Sequence, residues 1–429
     1  MEARELNKSP RHPARVLLVA AACNPYRGSD FKVGWGRVQE TAKYFDTWVI
    51  CGSWDQEDIF RYSAEHGLPS SLHFCFVEEG WVARLLKRRH PLFYTNLFAY
   101  YLWQRRAFKL AVELHRRLNF ALTHQATLVG YREPGFLWKL EVPFVWGPVG
   151  GTQNCPWRFL LCGGLDMALV EGGRSLINWL QLRLSRRVQQ AARRATGLLA
   201  ANSQIKKSLE RIHRGRATVL LETGISEVLP AEALNPKPHQ PFRLLWSGDF
   251  KHHKALPLLL QALSSLTPDF PYELRILGRG PLDKRWRKLA QRLGINDRCR
   301  WLGWLPLTEA MRQYDWADVL VFTSLRDTSG NVVLEALSQG VPVVCLDHQG
   351  VGDIITPECG IKIPVTTPKK VIAGLKEAIV SLATQEGYLQ SLSRGALKRA
   401  QNYLWSANGA QMASIYLAAM ATGQNRPVI

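Results

Sequence analysis

Short, unbroken apolar runs alternate along the chain with longer stretches whose apolar positions recur every three or four residues. ARVLLVAA (14–21), TWVICG (47–52), HFCFV (73–77) and VPFVWG (142–147) are of the first kind. The series begins again with FRLLWSG (242–248), YELRILG (272–278), RCRWLG (298–303), ADVLVFTS (317–324) and VPVVCL (341–346). Runs of this length without polar alternation predict strands covered on both faces, as in parallel sheets. ALPLLLQALSSL (255–266) and PLDKRWRKLAQRLG (281–294) carry the helical period between them. Strand–helix alternation, twice over, predicts an α/β protein: two Rossmann-like domains with parallel sheets facing across a cleft. The aperiodic, Pro-rich stretch 225–241 places the join. The expected division is a domain over 1–225, a second over 226–400, and a helical segment over 401–429 packing back on the first.

The chain's 429 residues suit two cores rather than one. Net charge is +20, and residues 1–225 hold 32 Lys and Arg against 18 Asp and Glu, so most of the excess lies in the first half. Nucleic acid, an anionic membrane or an acidic substrate would each suit such a balance. The chain matches no nucleic-acid-binding motif, so nucleic acid is not expected as a partner. Residues 80–120 mix Leu and aromatic residues with Arg and Lys, a composition that predicts contact with an anionic interface. The stretch 178–197 is smaller and more polar at QQAARRA, and predicts an ordinary solvated helix. Eight scattered Cys without a C-x-x-C pair predict reduced thiols and no metal site. The N-terminal apolar run is about nine residues, where a membrane span needs about 20. The expected location is cytoplasmic, extending to the inner face of the membrane.

The stretch LRDTSGNVVLEALSQGVPVV (325–344) carries the chemistry. ADVLVFTS ends as a strand, a loop follows, and Val332, Val333, Ala336 and Leu337 form an apolar helical stripe. Asp327 therefore lies in the loop and Glu335 more than one turn inside the helix. Amides free at the helix start suit phosphate, and the flanking carboxylates suit hydroxyls. The pattern fits a ligand with phosphate at its centre and hydroxyl-bearing groups on both sides, such as a nucleotide sugar.

The same stretch resembles the family 4 retaining glycosyltransferases (glycosyl transferases group 1), which have the GT-B fold. Their Glu, seven residues, Glu-Ala, then Gly-x-Pro-Val is matched by Asp327, Glu335-Ala336 and Gly340-Val341-Pro342-Val343. LLWSGDFKHHKALPLLLQAL (244–263), LRILGRGP (274–281), RWLGWLP (300–306) and TGISEVLP (223–230) are similar to further landmarks in the family's order. The resemblance implies that Asp327 binds donor-sugar hydroxyls and Glu335 the ribose. It implies that amides of Gly330, Asn331 and Val332 meet the diphosphate, with Gly248 in the loop that grips it, and that Lys254 neutralises the leaving phosphate. The family's Arg after that glycine is Asp249 here, so Lys251 or Arg279 is expected to supply the missing cation. In DHQGVGDI (347–354), Gly350 and Gly352 are expected to approach the donor.

In the first domain, Gly34 and Gly36 precede a helix start and are similar to the family's glycine loop. Gly150 and Gly151 stand where the family often carries a His; either backbone groups replace it, with these glycines letting the backbone approach the acceptor, or His124 of the neighbouring loop does the catalytic work. The implied reaction is retaining transfer of a sugar from a nucleotide diphosphate sugar to a glycan or lipid-linked acceptor, in polysaccharide or glycolipid synthesis. The implied partners are the nucleotide sugar, that acceptor and an anionic membrane surface, with no cofactor and no metal. Two other readings remain: another two-Rossmann nucleotide-sugar enzyme of epimerase or phosphorylase type, and a basic nucleic-acid-binding protein.

Overall fold

The computed structural model describes residues 13–28, 30–81, 93–128, 130–213, 215–234 and 238–424. Two parallel sheets organise them. The first runs β1 (Arg15–Val19), β2 (Asp46–Gly52), β3 (Leu72–Val77), β4 (Leu122–Gln125), β5 (Phe144–Val149), β6 (Gly197–Ala200) and β7 (Ala217–Val219), in spatial order 3-2-1-4-5-6-7. The second runs β8 (Phe242–Ser247), β9 (Tyr272–Leu277), β10 (Cys299–Gly303), β11 (Val319–Phe322), β12 (Val343–Leu346) and β13 (Gly360–Ile363), in order 10-9-8-11-12-13. Each sheet thus reverses direction once, between β1 and β4 and between β8 and β11. At such a point the two outgoing loops part and leave a crevice above the strand ends.

Burial follows the apolar runs. Val16–Val19, Val319–Phe322 and Val343–Leu346 are buried along their whole length, as strands sandwiched between helices must be. This is the GT-B arrangement expected from sequence. Four strands lack an apolar run long enough to announce them: β4 (LTHQ), β6 (GLLA), β7 (ATV) and β13 (GIKI) have three or four residues each.

The chain passes between the lobes twice at one place. Ile225 and Leu404 form an isolated parallel bridge, with the Ile225 amide on the Tyr403 carbonyl (3.0 Å) and the Trp405 amide on the Ile225 carbonyl (2.9 Å). The last helix, Trp405–Gln424, then lies on the first sheet. Its Met412, Ala413, Tyr416 and Ala419 share a core with Val16, Leu18 and Val49. Among the described residues, no helix is long and apolar enough to cross a membrane.

The two basic segments use their apolar residues differently. Residues 82–92 of the first lie outside the described residues. Beyond them, the Phe93–Leu118 helix spends its apolar face on the sheet, with Trp103, Ala107 and Ala111 buried. The Leu165–Leu184 helix instead turns Met167, Glu171, Asn178 and Leu182 inward and leaves Leu165 (75%), Leu169 (77%), Leu176, Trp179 and Leu184 exposed. The expectation for 178–197, an apolar face in the core and a basic face in water, holds over the Arg186–Arg194 helix, where Val188, Ala191 and Ala192 are buried, and not at Trp179, Leu180 and Leu184, which are exposed.

Candidate active site

Both loops at the second sheet's reversal converge. The loop after β8 brings Gly248 to Ala255, and the loop after β11 brings Thr323 to Gly330. Lys254 Nζ and Asp327 Oδ2 meet at 2.5 Å, each side chain about one-fifth exposed (19% and 19%). The sequence places these residues 73 positions apart and assigns them different tasks. The structure makes them one ion pair at the crevice floor. Their segments are tied as well: the Thr323 hydroxyl donates to the Lys254 carbonyl (2.8 Å), and the Leu325 amide to the His253 carbonyl (2.7 Å).

Gly330 caps the Asn331–Ser338 helix with φ +74°. A Cβ there would lie 3.2 Å from the Phe322 ring and in a conformation that L side chains rarely adopt. The first-turn amides, those of Asn331 and Val332, have no partner within the helix. Glu335 lies one turn further on and accepts from the Tyr314 hydroxyl at 2.9 Å. Burial raises its carboxyl above the ordinary range, against the Tyr314 hydrogen bond and the Lys32 charge.

The loop 326–330 is held by residues that the sequence alone does not reveal. The Asp327 amide donates to Gln349 Oε1 (2.6 Å), and its carbonyl accepts from Gln153 Nε2 (3.1 Å). Asn202 donates to the Thr328 carbonyl (2.9 Å), and buried Ser329 donates to Glu222 (2.9 Å). Gln153, Asn202 and Glu222 belong to the first lobe, so this loop is positioned by its neighbour. Glu222 is buried, which pushes its carboxyl up to about 8. A lone Gln or Glu in a loop carries no spacing signal, and only tertiary contact finds these.

The remaining sequence candidates divide. Asp249 and Lys251 pair with each other at 2.7 Å, both more than half exposed (59% and 53%). That resolves the cost of an Asp in this loop: it is solvated and neutralised. Arg279 is exposed, its guanidinium 5.3 Å from the centre of the exposed Trp304 ring. Gly248 is where the loop leaves β8, its amide on the Leu277 carbonyl (3.1 Å). Gly350 packs rather than opens: a Cβ there would fall 1.9 Å from the Thr328 carbonyl oxygen. Asp353 accepts from Ser203 of the first lobe at 2.6 and 2.7 Å.

Two first-lobe expectations need correction. His124 is wholly buried in β4, with Nδ1 at the Tyr416 hydroxyl and Nε2 2.6 Å from the Gly147 carbonyl. Burial pushes its pKa down to about 3, so the ring is neutral. Both nitrogens are committed inside the first lobe, and His124 does not reach the cleft. Gly34 and Gly36 are not a loop. They lie within the Asp30–Ala42 helix, where a Cβ would meet the Ala22 carbonyl oxygen at 1.9 Å and the Trp405 ring at 2.4 Å. Gly150 and Gly151 do follow β5. Gly151 has φ +81°, and its carbonyl accepts from Arg174 (3.3 Å).

Residues 232–394 match the family described as glycosyl transferases group 1. A D-inositol 3-phosphate glycosyltransferase of Streptomyces bingchenggensis is 30% identical over 219 residues, 48% of this chain and 44% of that protein. The chain spans about half the length of the curated relatives it matches. Among solved structures, a sucrose-phosphate synthase from Thermosynechococcus elongatus superposes with a TM-score of 0.66 at 17% identity, covering 95% of this chain and 100% of that one. Anabaena HepE in complex with UDP-glucose gives 0.58 at 15%, covering 93% and 98%.

Proposed function

We propose, for a chain whose C-terminal lobe belongs to the group 1 glycosyl transferases, that the cleft transfers a sugar with retention from a nucleotide diphosphate sugar to a glycan or lipid-linked acceptor. The observation that carries this is the Lys254–Asp327 pair at the sheet reversal, close in sequence to the start of the 331–338 helix, whose first-turn amides have no partner within the helix. The diphosphate seats on those amides and draws Lys254 from Asp327. Asp327 is then released toward the sugar hydroxyls, while Glu335, oriented by Tyr314, takes the ribose. The anomeric C–O bond to the diphosphate breaks and a C–O bond to an acceptor hydroxyl forms. The hydroxyl proton leaves with the diphosphate. Negative charge grows on the leaving group, and fixed dipoles plus one part-buried ammonium stabilise it. No step calls on a metal or cofactor. Gly150, Gly151 and the backbone around them line the acceptor side.

The exposed ridge of the 165–184 helix supports work at a membrane surface. Arg183 stacks on Trp179 (4.7 Å) and Arg158 on Trp157 (5.0 Å), pairing rings for the headgroup boundary with cations for lipid phosphates. The location we assign is cytoplasmic, on the inner membrane face. The test is thermal-shift binding against a panel of nucleotide sugars, followed by a transfer and hydrolysis screen with the binders. Stabilisation by one donor, lost in Lys254→Met, supports the reading. No binder among UDP-, GDP- and ADP-sugars ends it.

A further inference from the structure

Three successive residues after β12 grip the loop that carries Asp327. His348 Nε2 donates to the Leu325 carbonyl (3.1 Å), Gln349 Oε1 accepts from the Asp327 amide (2.6 Å), and Gly350 packs against the Thr328 carbonyl. Gln349 does this in a left-handed backbone conformation, with φ +56°. That conformation suits Gly, and occasionally Asn or Asp; a Gln held there is strained. Strain of this kind persists where the surrounding contacts over-determine it, and it gathers at functional sites. Here the contacts are specific. The Gln349 side chain is buried, and its Nε2 donates to the Asn154 carbonyl of the first lobe (3.2 Å).

The residue before Asn154 completes the circuit. Gln153 Nε2 donates to the Asp327 carbonyl (3.1 Å), so the Asp327 backbone is held at its N–H from one lobe and at its C=O from the other. Its carboxylate is engaged as well: Oδ1 accepts from the Thr328 amide (3.0 Å) and Oδ2 from Lys254 (2.5 Å). The strap that follows Gln153 is anchored outside its own lobe. Phe159 and Met167 share the second lobe's core with Trp246, Phe250 and Trp286. Arg285 of that lobe donates to the Gly163 carbonyl (2.6 Å) and to Asp166 (3.0 Å).

We propose that Gln349 and Gln153 are positioning residues that aim Asp327 at the donor sugar, one side-chain amide from each lobe, and that the aim depends on the strap after Gly150 and Gly151 staying docked on the second lobe. The proposal rests on the transferase reading of the cleft and names what sets its sugar-side contact. With its backbone clamped at both ends, Asp327 keeps only its side-chain rotations. It can exchange Lys254 for a sugar hydroxyl while the loop stays in place. A carboxylate displaced by about 1 Å loses the geometry of such a contact. Diphosphate binding uses other groups, the helix amides and Lys254, and does not call on the clamp.

The test is calorimetric titration of the full chain, of Gln349→Asn, of Gln153→Met and of the double variant. The probes are the UDP-, GDP- and ADP-sugars of the binding panel, and UDP, GDP and ADP themselves. Asn suits the left-handed backbone but is one methylene too short to span Asp327 and Asn154. Met keeps the bulk of Gln153 and removes its amide. The expected result is a nucleotide-sugar Kd raised at least about tenfold in each single variant, the scale of one lost hydrogen bond to a charged group. The Kd of the matching nucleoside diphosphate stays within about threefold of the wild type, which also reports that each variant is folded. Both glutamines hold one residue, so the double variant binds the nucleotide sugar within about threefold of the weaker single variant. A smaller rise in either single variant, equal weakening of both ligands, or losses that multiply in the double variant overturns the clamp and leaves the donor site standing. No binding of any panel member by the wild type overturns the transferase reading, and the clamp with it.

Discussion

At Lys254 and Asp327 two opposite charges are held at the crevice floor until a better partner arrives. Removing either leaves the other uncompensated, so the variants differ in sign. Lys254→Met loses stabilisation of the leaving diphosphate, with kcat falling roughly 10²–10³-fold, the usual scale for one lost preorganised donor. Asp327→Asn frees Lys254, so nucleoside diphosphate binds as well or tighter while sugar transfer is lost. Steady-state kinetics beside product-binding titrations separate the two. His124 gives a contrasting expectation. Its ring is a buried bracket between β4, the Gly147 carbonyl and Tyr416. His124→Ala should lower Tm by about 5 °C, from lost buried hydrogen bonding, and leave turnover well below Tm within about threefold. Wild-type stability with abolished turnover would restore it to the chemistry. Glu222 predicts a pH effect. With its carboxyl raised to about 8 in the fold, the native state holds a proton that the unfolded chain releases near 4.5. Its contribution is therefore present at low pH, declines as pH rises from about 4.5 to 8, and is level above. Glu222→Gln keeps the neutral form, so its Tm should gain on the wild type across that window in paired melts. A constant difference would contradict this.

At the level of elements, the strands that the sequence displays are the ones buried on both faces, because continuous Val, Ile and Leu runs have no other stable home. β4 is hidden for the opposite reason: Thr123, His124 and Gln125 are polar yet buried, and the partners of Thr123 and His124, the Pro143 and Gly147 carbonyls and Tyr416, lie where no local pattern reveals them. The donor loop was legible because a strand end, a glycine and a helix start sit contiguously in sequence. What holds that loop was not, since Gln153, Asn202 and Glu222 come from a different lobe. The glycines mislead in an instructive way. Gly34-Trp35-Gly36 looks like a loop but is a helix whose faces admit no side chain, against the Ala22 carbonyl and Trp405. Gly36→Ala drives a methyl into the Trp405 ring, beside the Ile225–Leu404 crossing. It should cost about 1–3 kcal/mol as an overpacked contact, measured by denaturant unfolding. An unchanged midpoint would mean that Trp405 moves freely, against the observed packing.

The whole molecule is two reversing sheets whose crevices face one another, tied by the crossing at 225 and 404 and by the hydrogen bonds around Asp327. Its basic first lobe carries an apolar ridge that the core does not use. A double change of Leu176 and Trp179 to Ser removes part of that ridge without touching the buried face. It should weaken co-sedimentation with vesicles containing phosphatidylglycerol at least about thirtyfold, since each ring or leucine contributes roughly 1–3 kcal/mol when buried. Unchanged sedimentation would take the ridge out of membrane contact. The central claim is narrower: a diphosphate sits on the amides of the 331–338 helix, between Lys254 and Glu335. A crystal structure of the chain with its nucleotide diphosphate sugar tests it most directly. The account predicts diphosphate oxygens at hydrogen-bonding distance from the Asn331 and Val332 amides and Lys254 Nζ, the ribose at Glu335, and the Lys254–Asp327 pair opened. A nucleotide seated elsewhere, with that pair still closed, would contradict it.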